Sequence, residues 1–181
     1  LRTEVEMIRE AVDRKLSVLG ICLGAQLLAK SLGGAVARNK TREIGWHDVE
    51  LTDAGIDDPV LSTFERRQRV FQWHEDGISL PPGGVHLARS AASDVQAFRY
   101  GERAYGFQFH LEVDTSLIDR WLKVPANRPM LEAERGRVDP ELIRSQVTDN
   151  IAALEELSRQ TFARWISGFG TLSRRRTLPS R

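Results

Sequence analysis

An α/β fold is predicted by three features of the sequence. A short apolar strand runs straight into a Gly-x-Cys-x-Gly turn and then a helix, another helix precedes that unit, and the middle of the chain is a series of short strands. The elements follow in order. Val5, Ile8 and Val12 recur at helical spacing between charges, which predicts an amphipathic helix over Glu4 to Arg14. Lys15 to Ile21 reads as a short apolar strand of the kind buried in parallel sheets. Ala25, Leu28, Ala29 and Leu32 share one face of a helix that begins near Gly24 and is stopped by Gly33-Gly34. Glu43 to Leu51, Arg69 to Trp73, Val85 to Ala88, Val95 to Tyr100 and Ala104 to His110 are strand candidates. Turn signals such as Asp57-Asp58-Pro59 and Pro81-Pro82-Gly83-Gly84 separate them, and the last two are expected to form a hairpin across Gly101 to Arg103. Asp114 or Thr115 is a candidate N-cap for a helix carrying Leu117, Ile118, Trp121 and Leu122. Asp139-Pro140-Glu141 opens a longer helix, whose apolar stripe passes through Ile143, Val147, Ile151, Leu154 and Leu157. One domain is expected over 1–170, followed by an Arg-rich, disordered tail over 171–181, with Arg174-Arg175-Arg176 read as solvated rather than nucleic-acid binding.

Composition narrows the function. The chain has 181 residues, a net charge of +1, 41% apolar and 28% charged residues, the mix of an ordinary globular domain. No apolar run approaches the ~20 residues that span a bilayer. A single cysteine, Cys22, rules out an intrachain disulfide and a Cys-rich zinc module. The near-neutral balance gives no electrostatic reason to expect nucleic acid. Membrane and nucleic acid are therefore not expected as partners, no cofactor or metal is expected, and the expected location is the cytoplasm.

Gly20-Ile21-Cys22-Leu23-Gly24 has the layout of a nucleophile elbow. The turn would expose the thiol, the helix N-terminus would favour the thiolate, and the backbone N–H of Leu23 would point where an oxyanion forms. A thiol nucleophile needs a base and an orienting group. Of His47, His74, His86 and His110, the last ends an apolar strand as His-x-Glu, and residues i and i+2 of a strand face one side, so Glu112 can hydrogen-bond the His110 ring. Cys22, His110 and Glu112 thus form a candidate triad. His47 and His86 read as strand-surface or satisfied core positions, and the histidines with Cys22 lack metal-ligand spacing.

Gly20 to Gln26, Gln72-Trp73-His74-Glu75-Asp76 and Gly106-Phe107-Gln108-Phe109-His110-Leu111-Glu112 occur in the order and spacing of class I glutamine amidotransferases. The chain resembles that family over approximately Leu1 to Trp165, most of all its stand-alone GMP-synthase-like branch. Glu43-Ile44-Gly45-Trp46 and Ala97-Phe98-Arg99-Tyr100 are also similar. The resemblance implies an open, mostly parallel, doubly wound sheet flanked by helices (flavodoxin-like), with the site at the strand ends. It implies attack of Cys22 on the side-chain amide of glutamine, with His110 moving protons, a glutamyl thioester, and release of ammonia. Gln26 matches the residue whose side chain holds the substrate, and the His74-Glu75-Asp76 turn matches the loop whose backbone meets its amino-acid end. The implied partners are glutamine or a γ-glutamyl small molecule, and a synthase or synthetase subunit that consumes the ammonia. A γ-glutamyl peptidase with the same triad and a non-catalytic scaffold of the same fold are the alternatives.

The sequence departs from the family pattern at its start. Family members carry an upstream Gly-rich loop that supplies a second oxyanion N–H, whereas 21 residues precede Cys22 here and only Gly20 among them is glycine. That loop and the first strands of the sheet are expected to be missing, which, with the non-Met start at Leu1, reads as the C-terminal portion of a longer protein. No Gly-x-x-x-x-Gly-Lys-Ser/Thr phosphate loop occurs in the chain.

Overall fold

The computed structural model of the chain describes residues 1–168; the tail predicted over 171–181 lies outside the described residues. Helix α1 (Arg2–Asp13) precedes β1 (Val18–Ile21) and α2 (Leu23–Ser31). There follow β2 (Val36–Leu51), the short α3 (Asp53–Ile56), β3 (Arg67–Ile78), β4 (Gly84–Arg89), β5 (Ala97–Tyr100) and β6 (Ala104–Phe107). Helices α4 (Thr115–Lys123), α5 (Arg128–Ala133) and α6 (Pro140–Ser167) complete the described chain, a 3₁₀ turn at Pro125–Asn127 leading into α5. The predicted caps of α4 and α6 form: the Asp114 side chain accepts from Leu117 N and the Asp139 side chain from Glu141 N.

The six strands make one sheet in the order β1-β6-β5-β4-β2-β3. The α/β class is as the sequence indicates, but the sheet is mixed. Only β1 with β6 is parallel; β2 with β3, β2 with β4, β4 with β5 and β5 with β6 are antiparallel. The reason is connection length: a parallel pair needs a crossover of a dozen or more residues, and the β5–β6 link is the hairpin at Gly101 to Arg103. Gly101 turns that hairpin at φ 58°. The first strand starts later than predicted, at Val18, because Lys15 at φ 57° closes the end of α1 and Leu16 N still donates to the Ala11 carbonyl. β2 and β3 extend well beyond their predicted bounds, with an irregularity between Arg38 and Glu43.

Both faces of the sheet are covered. Ala25, Leu28, Ala29 and Leu32 of α2 pack with Ile78, Phe98 and Ala104 on one face, and Ile8 and Val12 of α1 join them. Ile118 and Leu122 of α4, with Ile143, Val147, Leu154 and Leu157 of α6, cover the other against Phe71, Tyr105 and Phe107. Residues of β6 alternate accordingly: Tyr105 and Phe107 face α4 and α6, while Ala104 and Gly106 face α2, and the Phe98 ring fills the space a Gly106 side chain would need.

One buried polar anchor fastens the α3 segment to this sheet. The fully buried Asp58 carboxylate accepts from Arg99 Nε at 2.9 Å, the Tyr105 hydroxyl at 3.3 Å and Val60 N at 3.0 Å. Burial first, and then the Asp58 charge, hold the Tyr105 phenol well above its ordinary pKa. Asp58→Ala would leave the guanidinium and the phenol without their acceptor. It is expected to destabilise the fold by about 3–5 kcal/mol, read as a lower midpoint in denaturant-induced unfolding. A change under about 1 kcal/mol would show that water replaces the carboxylate.

Candidate active site

The site forms where β1 meets α2. Cys22 sits between them as the N-cap of α2, half-buried, with φ 51° and ψ −107°. This conformation is strained for any residue with a Cβ, and it is the local signature of an elbow. Gly20 makes the turn feasible: a Cβ there would stand 2.7 Å from Ala25 N and closer still to the Gly24 carbonyl. Gly24 is different, since a Cβ there would meet nothing within 4 Å. The first turn of α2 leaves its amides, Leu23 N included, without helical acceptors, next to the sulfur. The Leu23 side chain is exposed.

The segment after β6 brings the other groups in. The Phe107 carbonyl accepts from Cys22 N, Gln108 N donates to the Gln96 carbonyl, and His110 N donates to the Phe71 carbonyl, each at 2.8 Å. The predicted strand over Ala104 to His110 therefore ends at Phe107, and His110 is an isolated bridge residue opposite Phe71. Its pairing with Glu112 survives this change of local structure: His110 Nδ1 lies 2.6 Å from Glu112 Oε1. A ring nitrogen that close to a carboxylate carries the proton, which leaves Nε2 as the other working atom. Nε2 is buried and makes no hydrogen bond of ordinary geometry. The Trp121 ring packs edge-on against the imidazole with centroids 4.9 Å apart, so α4 helps fix its orientation.

Burial lowers the His110 pKa, but the Cys22 thiol and the Glu112 carboxylate outweigh it and push the value up to about 9. A histidine raised above its free value of 6.5 contributes stability that is fully present below about 6.5 and is lost as pH rises through about 9. Unfolding midpoints are expected to fall between pH 7 and pH 10, and Glu112→Gln should flatten that fall. Parallel curves for the two proteins would show that other groups set the pH dependence.

Gln26 Nε2 donates to Gln108 Oε1 at 3.2 Å and, at 3.5 Å, to the Asp76 carbonyl. His74, Glu75 and Asp76, read from sequence as a turn, lie inside strand β3, where His74 pairs with Glu43 and Asp76 with Arg38. The turn signal misleads because β2 supplies ladder partners on both sides of its irregularity. The Glu75 side chain is held by Arg38 and Arg42, whose hydrogen bonds keep its carboxyl below the usual range, and Arg42 also reaches Glu134. His47 and His86 bond the Ile44 and Ala88 carbonyls at 3.2 and 3.0 Å.

Sequence reasoning gave Gln108 no role. It is fully buried, and its Nε2 donates to Cys22 Sγ at 3.7 Å while the thiol faces the Trp73 carbonyl at 3.9 Å. A glutamine flanked by Phe107 and Phe109 in an apolar run is itself a signal, because a buried amide needs partners. Among the described residues no group of three or more His, Cys, Asp or Glu is arranged to hold a metal ion. No helix among them is long and apolar enough to cross a membrane.

Residues 1–122 match the family model for glutamine amidotransferase class I. The chain belongs to the class I glutamine amidotransferase family. This class I amidotransferase chain is 36% identical over 118 residues to the glutamine amidotransferase-like protein YfeJ of Salmonella typhimurium, covering 65% of this chain and 49% of that protein. It is 38% identical over 111 residues to one subunit of the glutamine-hydrolyzing GMP synthase of Pyrococcus abyssi, covering 60% of this chain and 57% of that one. The chain thus spans about half the length of these curated relatives. The crystal structure of a glutamine amidotransferase from Thermotoga maritima superposes with a TM-score of 0.81 at 36% identity, covering 92% of this chain and 69% of that chain.

Proposed function

We propose that the chain is a glutamine hydrolase of the amidotransferase type, with Cys22 as nucleophile, His110 as acid and base, and Glu112 as the group that orients the ring. The observation that carries this reading is the Glu112–His110 hydrogen bond at 2.6 Å beside a cysteine held at φ 51° on a strand-to-helix elbow. The Cys22 thiolate attacks the side-chain amide carbon of glutamine, and the new oxyanion is met by the Leu23 amide at the start of α2. As the C–N bond breaks, His110 Nε2–H gives its proton to the departing nitrogen, which leaves as ammonia. The bare Nε2 then takes a proton from water, whose oxygen attacks the thioester carbon. The C–S bond breaks, glutamate leaves and the thiolate returns. Gln26 and the backbone at Asp76 would hold the amino-acid end of the substrate.

The likeness to a GMP synthase subunit from Pyrococcus abyssi supports a second element of the proposal, that a separate synthase subunit consumes the ammonia. The test is ammonia release from glutamine measured beside hydrolysis of a γ-glutamyl dipeptide by the full chain. Turnover of glutamine alone supports the proposal. Turnover of the dipeptide alone replaces it with a γ-glutamyl peptidase, and no turnover of either, with Cys22 inert to a chloroketone analogue of glutamine, leaves a scaffold.

A further inference from the structure

We infer that Glu43 is a positioning residue for the substrate-holding side of the site and acts through His74; the inference rests on the glutamine-hydrolase reading above. Glu43 of β2 and His74 of β3 are cross-strand partners, and their side chains are 4% and 2% exposed. His74 Nδ1 lies 2.9 Å from the Asp76 carbonyl oxygen, and Nε2 lies 3.2 Å from Glu43 Oε2, an ion-pair distance off the hydrogen-bond line. Both ring nitrogens therefore face oxygen atoms, and the ring is held from both sides. The carboxylate is held from its other side by Gln96 Nε2 at 2.6 Å, and Gln96 is in turn fixed by Gln72 at 3.0 Å and Ser90 at 3.0 Å. Burial works against the Glu43 charge, but the neighbouring His74 ring and Ser90 hydroxyl outweigh it and keep the carboxyl below its usual range.

A buried polar pair is a poor way to gain stability, since apolar residues of similar volume do as well or better. What this pair provides is direction. The Asp76 carbonyl that His74 holds is the same atom that accepts from Gln26 Nε2, and Gln26 holds Gln108, whose amide meets the Cys22 sulfur. The β2–β3 register is broken between Arg38 and Glu43, beside this carbonyl, so a side chain fixes it where the ladder is irregular. The chain of contacts runs Glu43, His74, Asp76 carbonyl, Gln26, Gln108, Cys22. Loss of the carboxylate would free the His74 ring to turn, and Asp76 and Gln26 would lose their common alignment.

The experiment uses the full chain and two reagents for Cys22: a chloroketone analogue of glutamine, which needs the substrate-holding groups, and iodoacetamide, which does not. Glu43→Gln is expected to raise the half-saturating analogue concentration by about tenfold, the scale of one charge-assisted hydrogen bond. Its maximal labelling rate and its iodoacetamide rate should change less than threefold. With glutamine, KM should rise while kcat changes little. An unchanged half-saturation, or equal losses with both reagents, would overturn the assignment. If Glu43→Gln does not fold, Glu43→Gln/His74→Asn removes the carboxylate and keeps a donor near the position of Nδ1: a raised half-saturation with an unchanged iodoacetamide rate supports the assignment, and equal losses with both reagents overturn it. A wild-type protein alkylated by iodoacetamide but not by the analogue would overturn the glutamine reading and this inference with it. A wild-type protein that saturates with the analogue, beside a variant that saturates equally, would sink Glu43 alone.

Discussion

Replacing Cys22 with alanine is expected to lower ammonia release from glutamine by about 10⁴-fold or more, because the covalent route has no other entry. Cys22 is the only cysteine of the chain, so the variant also has no thiol left to react. Mass spectrometry of the wild type after treatment with the chloroketone analogue should find one adduct, and the variant none. The fold should be kept, because the Cys22 side chain is half-buried and its elbow is shaped by backbone bonds, notably Cys22 N to the Phe107 carbonyl at 2.8 Å. Ammonia release that persists in Cys22→Ala would remove the nucleophile from the proposal.

Gly20→Ala is expected to have the largest effect on stability of any single methyl group added at the site. The new Cβ would stand 2.7 Å from Ala25 N and nearer to the Gly24 carbonyl, and both neighbours are backbone. No side-chain rotation relieves such a contact, so β1 and α2 must separate, at a cost of about 3 kcal/mol or more. Cys22 should lose reactivity in step, because its strained φ depends on that packing. Gly24→Ala is the matched control. Its Cβ meets nothing within 4 Å and the residue lies in α2, so stability should stay level or rise by roughly 0.5–1 kcal/mol. Equal unfolding midpoints for Gly20→Ala and wild type would show that the elbow can open without loss.

These two glycines also show what was legible in the sequence. The motif Gly-x-Cys-x-Gly announced the elbow, because a strand, a tight turn and a helix are all local events. It could not tell that Gly20 is required by close packing while Gly24 faces open space. The His110–Glu112 pair was legible from its spacing, although the strand geometry used to argue it stops three residues earlier, at Phe107. Groups joined across the sheet were not legible. Glu43 and His74, or Gln108 and Cys22, meet only because strands far apart in sequence become neighbours, and nothing local to either member marks its partner. The polarity of the sheet was hidden for a related reason: a strand pattern reports burial, whereas direction is settled by the connections.

The parallel pairing of β1 with β6 places a constraint in time as well as in space. Val18 finds its partner at Ala104, and Cys22 N finds its acceptor at Phe107, so the Cys22 elbow is bent by a strand synthesised long after it. Contacts of such long sequence separation form slowly, and the antiparallel β5–β6 hairpin can close before β1 docks against it. Until that docking, Cys22 is an ordinary thiol on a chain with no reason to hold φ 51°. Maturation of the thiol is therefore a report on long-range assembly: its rate of appearance during refolding should follow completion of the sheet, not formation of α2.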